Sequence, residues 1–292
     1  MNAIINIVLL SLAAGMGTGV GALAAIIRRP GRRLFGFLMG MTAGVMISLS
    51  FLELVNEAWE MGGFVTATVG FGAGALFMFL LDALVPHIRF GEQETPAPEP
   101  LDSPEAPCQR RGRRFGFGRG EAGPPHRGRH RFGRLRHRGA PLDPALLKSG
   151  LLIAIGITIH NIPEGIAVGA GYMRAPQFGI FIALAILLHN IPEGIAVALP
   201  LCSGGFSRWD AFKTALFSGL VEPIGALAAA LFLASFAEMI PGSLAFAGGV
   251  MVFITLDELI PTAREHGHQH FTGMGIIVGA IFVFLLSGTL GV

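Results

Sequence analysis

Eight times between residues 3 and 291 the chain runs apolar for long enough to cross a bilayer: near 3–27, 34–58, 64–86, 146–172, 177–201, 210–236, 241–261 and 271–291. A hydrocarbon core about 30 Å thick takes about 20 helical residues, and inside it each backbone polar group must be satisfied within its own segment. The pattern predicts an all-α integral membrane protein with eight transmembrane helices. Composition agrees, with 52% of residues hydrophobic and 14% charged, where a soluble domain carries about 25% charge. The first segment has no basic stretch ahead of it and outruns a signal-peptide core, so it is read as the first span.

Most connections are short. The exception, 89–145, is acidic at first (Glu92, Glu94, Glu99, Asp102, Glu105) and then basic from Arg110 to Arg138. Too little of it is apolar to fold alone, and a disordered loop is expected. The chain then divides into residues 1–88 with helices 1–3, the loop 89–145, and residues 146–292 with helices 4–8, the two helical blocks forming one membrane domain. Twenty of the 21 basic residues fall on the side of loops 1–2, 3–4, 5–6 and 7–8, and only Arg174 falls on the other. The positive-inside rule places those loops, with the long one, in the cytoplasm and both termini outside a cell (inner or plasma) membrane. The arginines of the long loop suit anionic lipid, and no specific nucleic-acid partner is expected.

The spans also repeat. At an offset of 205, Gly44–Leu81 aligns with Gly249–Leu286 without a gap, and 15 of 38 positions match, among them Glu53 with Glu258. The copies lie five spans apart, so they run in opposite directions. Helices 4 and 5 carry a second duplication: His-Asn-Ile-Pro-Glu-Gly-Ile-Ala-Val occurs at 160–168 and again at 189–197. An inverted 3+2+3 repeat accommodates both, its axis between helices 4 and 5. Such repeats are a transporter signature, with the substrate held where the repeats meet.

Polar residues within spans mark function by default. His160 and Glu164, like His189 and Glu193, are four apart and share a helix face, with Asn161 and Asn190 close by. Pro163 and Pro192 each deprive a carbonyl of its helical donor, as Pro223 does beside Glu222 in helix 6. The set His160, Asn161, Glu164, His189, Asn190, Glu193 and Glu222 combines imidazole, amide and carboxylate without sulfur, which suits zinc, iron, manganese, cobalt or nickel. Seven side chains exceed the four a zinc ion takes. Two adjacent ions bridged by Glu164 or Glu193, or one mobile ion, would use them.

His-Asn-x-Pro-Glu-Gly in helices 4 and 5, followed by Glu-Pro-x-Gly-Ala in helix 6, resembles the ZIP family of zinc/iron-regulated divalent-metal transporters, in the double form similar to its prokaryotic GufA and ZupT-like branch. The resemblance covers all eight spans. It implies a binuclear centre in mid-membrane: His160, Glu164 and Glu193 on one ion, Asn161, Asn190 and Glu222 on the other, and Glu164 and Glu193 bridging. It implies that His189 tunes metal preference, that the transported ion is the only metal required, and that the protein is a homodimer. It also implies an exit relay through Asp82, His87, Asp257 and Glu258; Asp82 and Glu258 could equally be interfacial caps, and His87 reads better as one. Glu53 is a cation-gathering position at the other mouth or a solvated group. The long loop departs from relatives in being arginine-rich and histidine-poor.

The reading is thus an importer of divalent metal, zinc first, working by alternating access, and not an enzyme. The rivals are an intramembrane metal-dependent hydrolase, against which stands the lack of an HExxH pattern, and a passive metal channel, which only flux kinetics separates from a carrier.

Overall fold

In a computed structural model of the chain, residues 2–84, 144–203 and 205–292 are described. His87 and nearly all of the loop read over 89–145 lie outside them, and the last two residues of that loop open a helix. The described residues are helical throughout, without a strand: α1 Asn2–Ile27, α2 Arg32–Ser48, α3 Asn56–Leu84, α4 Pro144–Arg174, α5 Pro176–Ser203, α6 Arg208–Gly219, α7 Glu222–Ser235, α8 Ile240–Ile254, α9 Ile260–His266 and α10 Gln269–Leu290.

Among these, six stretches are long and apolar enough to cross a membrane: Ala3–Ile27, Arg32–Leu84, Pro176–Ser203, Arg208–Ser235, Ala237–His266 and Gln269–Leu290. The second runs for 53 residues, about 80 Å as a straight helix, more than twice the bilayer core. It is broken by Gly63, whose φ of 76° is open to glycine and strained for other residues. Gly63 falls between the segments read from sequence as 34–58 and 64–86. The outer surface is apolar, with Phe64, Val69, Phe217, Ile277 and Leu285 all exposed, a surface suited to lipid rather than water.

Pro163 and Pro192 lie within α4 and α5, which continue through them. Pro223 does not kink a continuous helix as its sequence position suggests. The helix ends at Gly219, and Glu222 and Pro223 open a new one, where the missing proline N–H is not needed and a carboxylate favours the helix dipole.

Two π-helical segments, Leu49–Val55 and Thr255–Leu259, interrupt the helices that carry Glu53 and Glu258. Such wide turns are local and tend to sit at functional positions. At the offset of 205, Thr255–Leu259 falls on 50–54, inside the first π segment.

The same offset governs packing. A Cβ on Gly44 would stand 2.0 Å from the carbonyl oxygen of Ile276, and one on Gly249 would stand 2.0 Å from that of Phe71. These are the same contact seen from each copy. Gly74 against Phe246 (2.0 Å) and Gly279 against Met41 (2.1 Å) form a second such pair. The copies also extend further than the sequence comparison reached. An offset of 204 carries Gly15 to Gly219, and a Cβ on either would stand 2.2 or 2.1 Å from the other's carbonyl oxygen. It carries Thr18 to Glu222, which lie 1.9 and 2.1 Å from the Cβ positions of Gly194 and Gly165, the glycines of the two nonapeptides. Within a membrane, helices associate by close packing of small residues, and these crossings place backbone on backbone.

The closest packing joins α1, α4, α5, α6 and α7 into one group and α2, α3, α8, α9 and α10 into another. Across the two groups α4 packs on α8 and α2 on α5, and a few polar contacts join them, among them an ion pair from Arg174, in the last turn of α4, to Glu57, in the first turn of α3.

Candidate metal centre

The nonapeptides bring their polar residues together because α4 and α5 pack against each other and each lays a glycine on a neighbouring backbone. His160, Asn161, Glu164, His189, Asn190, Glu193 and Glu222 are all buried. Glu164, His189 and Glu193 converge most tightly, each offering a ligand atom within 4.8 Å of the others. Glu164 Oε1 lies 3.1 Å from His189 Nε2. The structure thus groups His189 with the two glutamates, and His160 faces elsewhere, its Nε2 lying 3.4 Å from Glu258 Oε1.

The two asparagines are held alike. Asn190 Nδ2 donates to the carbonyl of Ala14 at 2.9 Å and to Glu222 Oε1 at 2.5 Å. Asn161 Nδ2 donates to the carbonyl of Ser218 at 2.7 Å. Ala14 and Ser218 are themselves related by the offset of 204. Both amide nitrogens are thereby occupied, and both amide oxygens are left without a protein donor. That is the orientation in which an amide can bind a cation. Glu164 Oε2, Glu193 Oε2 and Glu222 Oε2 also lack a protein donor. Buried carboxylates with lone pairs unsatisfied are costly unless a positive charge is near, and two of them this close repel until one is supplied.

Three such donors suit a zinc ion, which takes four ligands in all. His160, Glu193 and Glu258 line a cavity with Met39, Ile157, Ala196, Leu259 and Thr262. It joins the glutamates to the histidine that stands apart from them. Sequence position suggested that Glu258 lies near a membrane face, but the π-helical segment sets it beside His160. Asp257, its neighbour, is exposed. Asp82 is buried, and Glu53 is partly buried. His268 precedes α10 and His270 lies in its first turn, their ring centroids 5.7 Å apart.

Motif reading passed over Thr42, whose hydroxyl donates to the carbonyl of His189 at 3.4 Å. It also passed over Thr18, the counterpart of Glu222, whose hydroxyl donates to Gly15 at 2.6 Å. The signal for Thr18 was present as the Gly15-x-x-Thr18-x-x-Gly21 spacing, which repeats as Gly219-x-x-Glu222-x-x-Gly225. Replacing Asn190 with alanine removes two buried hydrogen bonds, one of them to a buried glutamate. The expected cost is about 1–3 kcal/mol, read as a lower thermal unfolding midpoint in detergent. Asn161→Ala, with one bond lost, is expected to cost less, and an equal or larger drop would contradict this account.

A family model described as "ZIP Zinc transporter" matches residues 1–287. A protein named zinc transporter ZTP29, from Arabidopsis thaliana, is 36% identical over 287 residues, covering 95% of this chain and 94% of its own. Proteins named zinc transporter ZupT are 37% identical over 293 residues in Nitratidesulfovibrio vulgaris (94% of this chain, 96% of that one) and 34% identical over 294 residues in Oceanobacillus iheyensis (96% and 97%).

Proposed function

The chain belongs to the ZIP zinc transporter family, and from that premise we propose that it carries divalent metal, zinc first, across a membrane into the cytoplasm. The observation that carries the reading is the convergence of Glu164, His189 and Glu193, buried, where the duplicated segments meet. The related proteins, themselves named as zinc transporters, support the choice of ion.

Counting the 53-residue stretch as two passes and α4 as one gives eight spans, and the reciprocal glycine contacts support an inverted repeat. The excess of arginine on one side supports cytoplasmic placement of those loops, with both termini outside. The metal loses water as it reaches Glu164, His189 and Glu193. Asn161, Asn190 and Glu222, with amide and carboxylate oxygens turned free of protein donors, would hold a second ion beside it. The cavity from Glu193 past His160 to Glu258 supports an exit on the arginine-rich side, with Asp82 further along it. Alternating access and a homodimeric assembly complete the reading. Because the helices repeat in inverted pairs, transport fits better than hydrolysis.

The test is elemental analysis of the purified protein with uptake by proteoliposomes across zinc, iron, manganese, cobalt and cadmium. Saturable zinc uptake well above protein-free liposomes is expected, without turnover of lipid or peptide. No uptake of any of the five, with folded protein present, would end this reading.

A further inference from the structure

Related positions match contact for contact along the glycine crossings, but not beside the cavity. Ile157, Ala196 and Leu259 line the cavity next to His160 and are 5%, 8% and 7% exposed. Their counterparts, Ile186 and Ala167 at an offset of 29 and Leu54 at 205, are all 0% exposed. A small cavity of about 20 Å³ remains on one side, and the counterpart positions are packed shut.

The polar pairs differ in the same sense. His160 faces Glu258. Its counterpart His189 instead faces Glu164, while Glu53, the counterpart of Glu258, is only partly buried. At the closed side Glu57 is the counterpart of Thr262, which lines the open cavity, and Glu57 is held by Arg174. The positions related to Arg174 and Glu57 on the open side are Ser203 and Thr262, neither of which carries a charge. Arg174 belongs to one helix group and Glu57 to the other, so this pair ties the groups together at the closed side only.

We infer that the Arg174–Glu57 ion pair latches shut a second access cavity, on the arginine-poor face. Ile186, Ala167 and Leu54 line it, and His189 pairs with Glu53 when it opens. The inference rests on the transporter reading. In an inverted repeat the two copies exchange conformations as the protein turns from one face to the other, so the arrangement now found around His160 and Glu258 passes to His189 and Glu53. Packed interfaces of this kind switch between discrete states rather than deform smoothly. An ion pair 43% and 20% exposed at its two side chains contributes little. That weakness suits a latch, which must bias the closed state and still release in every cycle. Once released, Glu57 and Glu53 present two carboxylates to an arriving divalent cation.

The experiment uses the full chain in sealed vesicles, with a membrane-impermeant thiol reagent applied to either face and the labelling of the parent chain subtracted. Ala167→Cys is expected to label from the arginine-poor face and Ala196→Cys from the arginine-rich face. Adding Arg174→Gln is expected to speed the first and slow the second by a similar factor, roughly two- to fivefold, as expected for loss of a partly exposed ion pair. Arg174→Lys, which keeps the charge, is expected to leave both rates near the parent values, and the exchange of Arg174→Glu with Glu57→Arg to restore them. Leu54→Cys is a second reporter if Ala167→Cys folds poorly. Unchanged rates with Arg174→Gln, both rates rising together, or no labelling of either reporter from the arginine-poor face would each overturn the inference. Failure of the transporter reading looks different: metal uptake is absent while labelling still responds to Arg174→Gln.

Discussion

Glu164→Gln is expected to reduce zinc uptake by at least about 100-fold while leaving the protein folded. Substitutions one shell out from a metal typically cost 10- to 100-fold, and Glu164 is within 4.8 Å of both His189 and Glu193. Glutamine keeps the volume and one acceptor oxygen but not the charge. The side chain is fully buried, so neutralising it also removes a desolvation cost, and the metal-free variant should unfold at the same temperature as the parent or higher. The parent should gain stability with zinc, by about 2.7 kcal/mol at a hundred times its dissociation constant, and the variant should gain little. Normal uptake by Glu164→Gln, or an undiminished stabilisation by zinc, would show that this carboxylate is not a ligand. Loss of uptake with a lower unfolding temperature would point to packing instead.

The second large effect is expected at Gly21. A Cβ there would stand 1.8 Å from the carbonyl oxygen of Ile191 and 2.7 Å from its carbon, both backbone atoms with no rotamer to yield. Gly21→Ala must therefore push α1 away from α5, loosening the contacts of Gly17 with Leu187 and of Gly194 with Thr18 along the same crossing. A cost of about 3 kcal/mol is expected for overpacking of this kind, measured as the shift in thermal unfolding. Uptake should fall too, since Ile191 lies between Asn190 and Glu193. Gly72→Ala is the contrast. Its added Cβ would meet nothing within 4 Å, and a change below about 0.5 kcal/mol is expected. If the two substitutions had similar effects, close backbone approach would not be what holds α1 to α5.

That contrast also marks how far the sequence could be read. Gly70, Gly72 and Gly74 look alike as small residues in an apolar run, and all three invite the same reading as packing positions. Only the helix phase separates them: Gly70 and Gly74 rest on α8, and Gly72 faces outward. The seven polar residues of the centre were legible because their cost in an apolar segment leaves few alternatives to function, and all seven are buried. Their grouping was harder to foresee. The four-residue spacing treats His160 and His189 as equivalent, and only tertiary packing sends one to Glu258 and the other to Glu164. The π-helical segments were equally hidden, since one extra residue per turn leaves no compositional trace, and one of them carries Glu258. The 3+2+3 repeat already pairs the helices of Gly15 and Gly219, but their residue register is faint in the sequence. It rests on three positions, Gly15, Thr18 and Gly21, one of which changed type.

The backbone-on-backbone crossings carry a last consequence. Where α1 meets α6 at Gly15 and Gly219, each glycine lies against the other's carbonyl and only the Thr18 hydroxyl and the Glu222 carboxylate intrude, so the group that bears the nonapeptides has little internal slack there. On the transport reading, a rearrangement that moves an ion is then expected at the seam between the two helix groups. The polar contacts across that seam, Arg174 with Glu57, His160 with Glu258 and Thr42 with the His189 carbonyl, are its fasteners. Stiffness within each half makes it a lever, so a change at one fastener is felt at the others without any pathway of side chains to carry it.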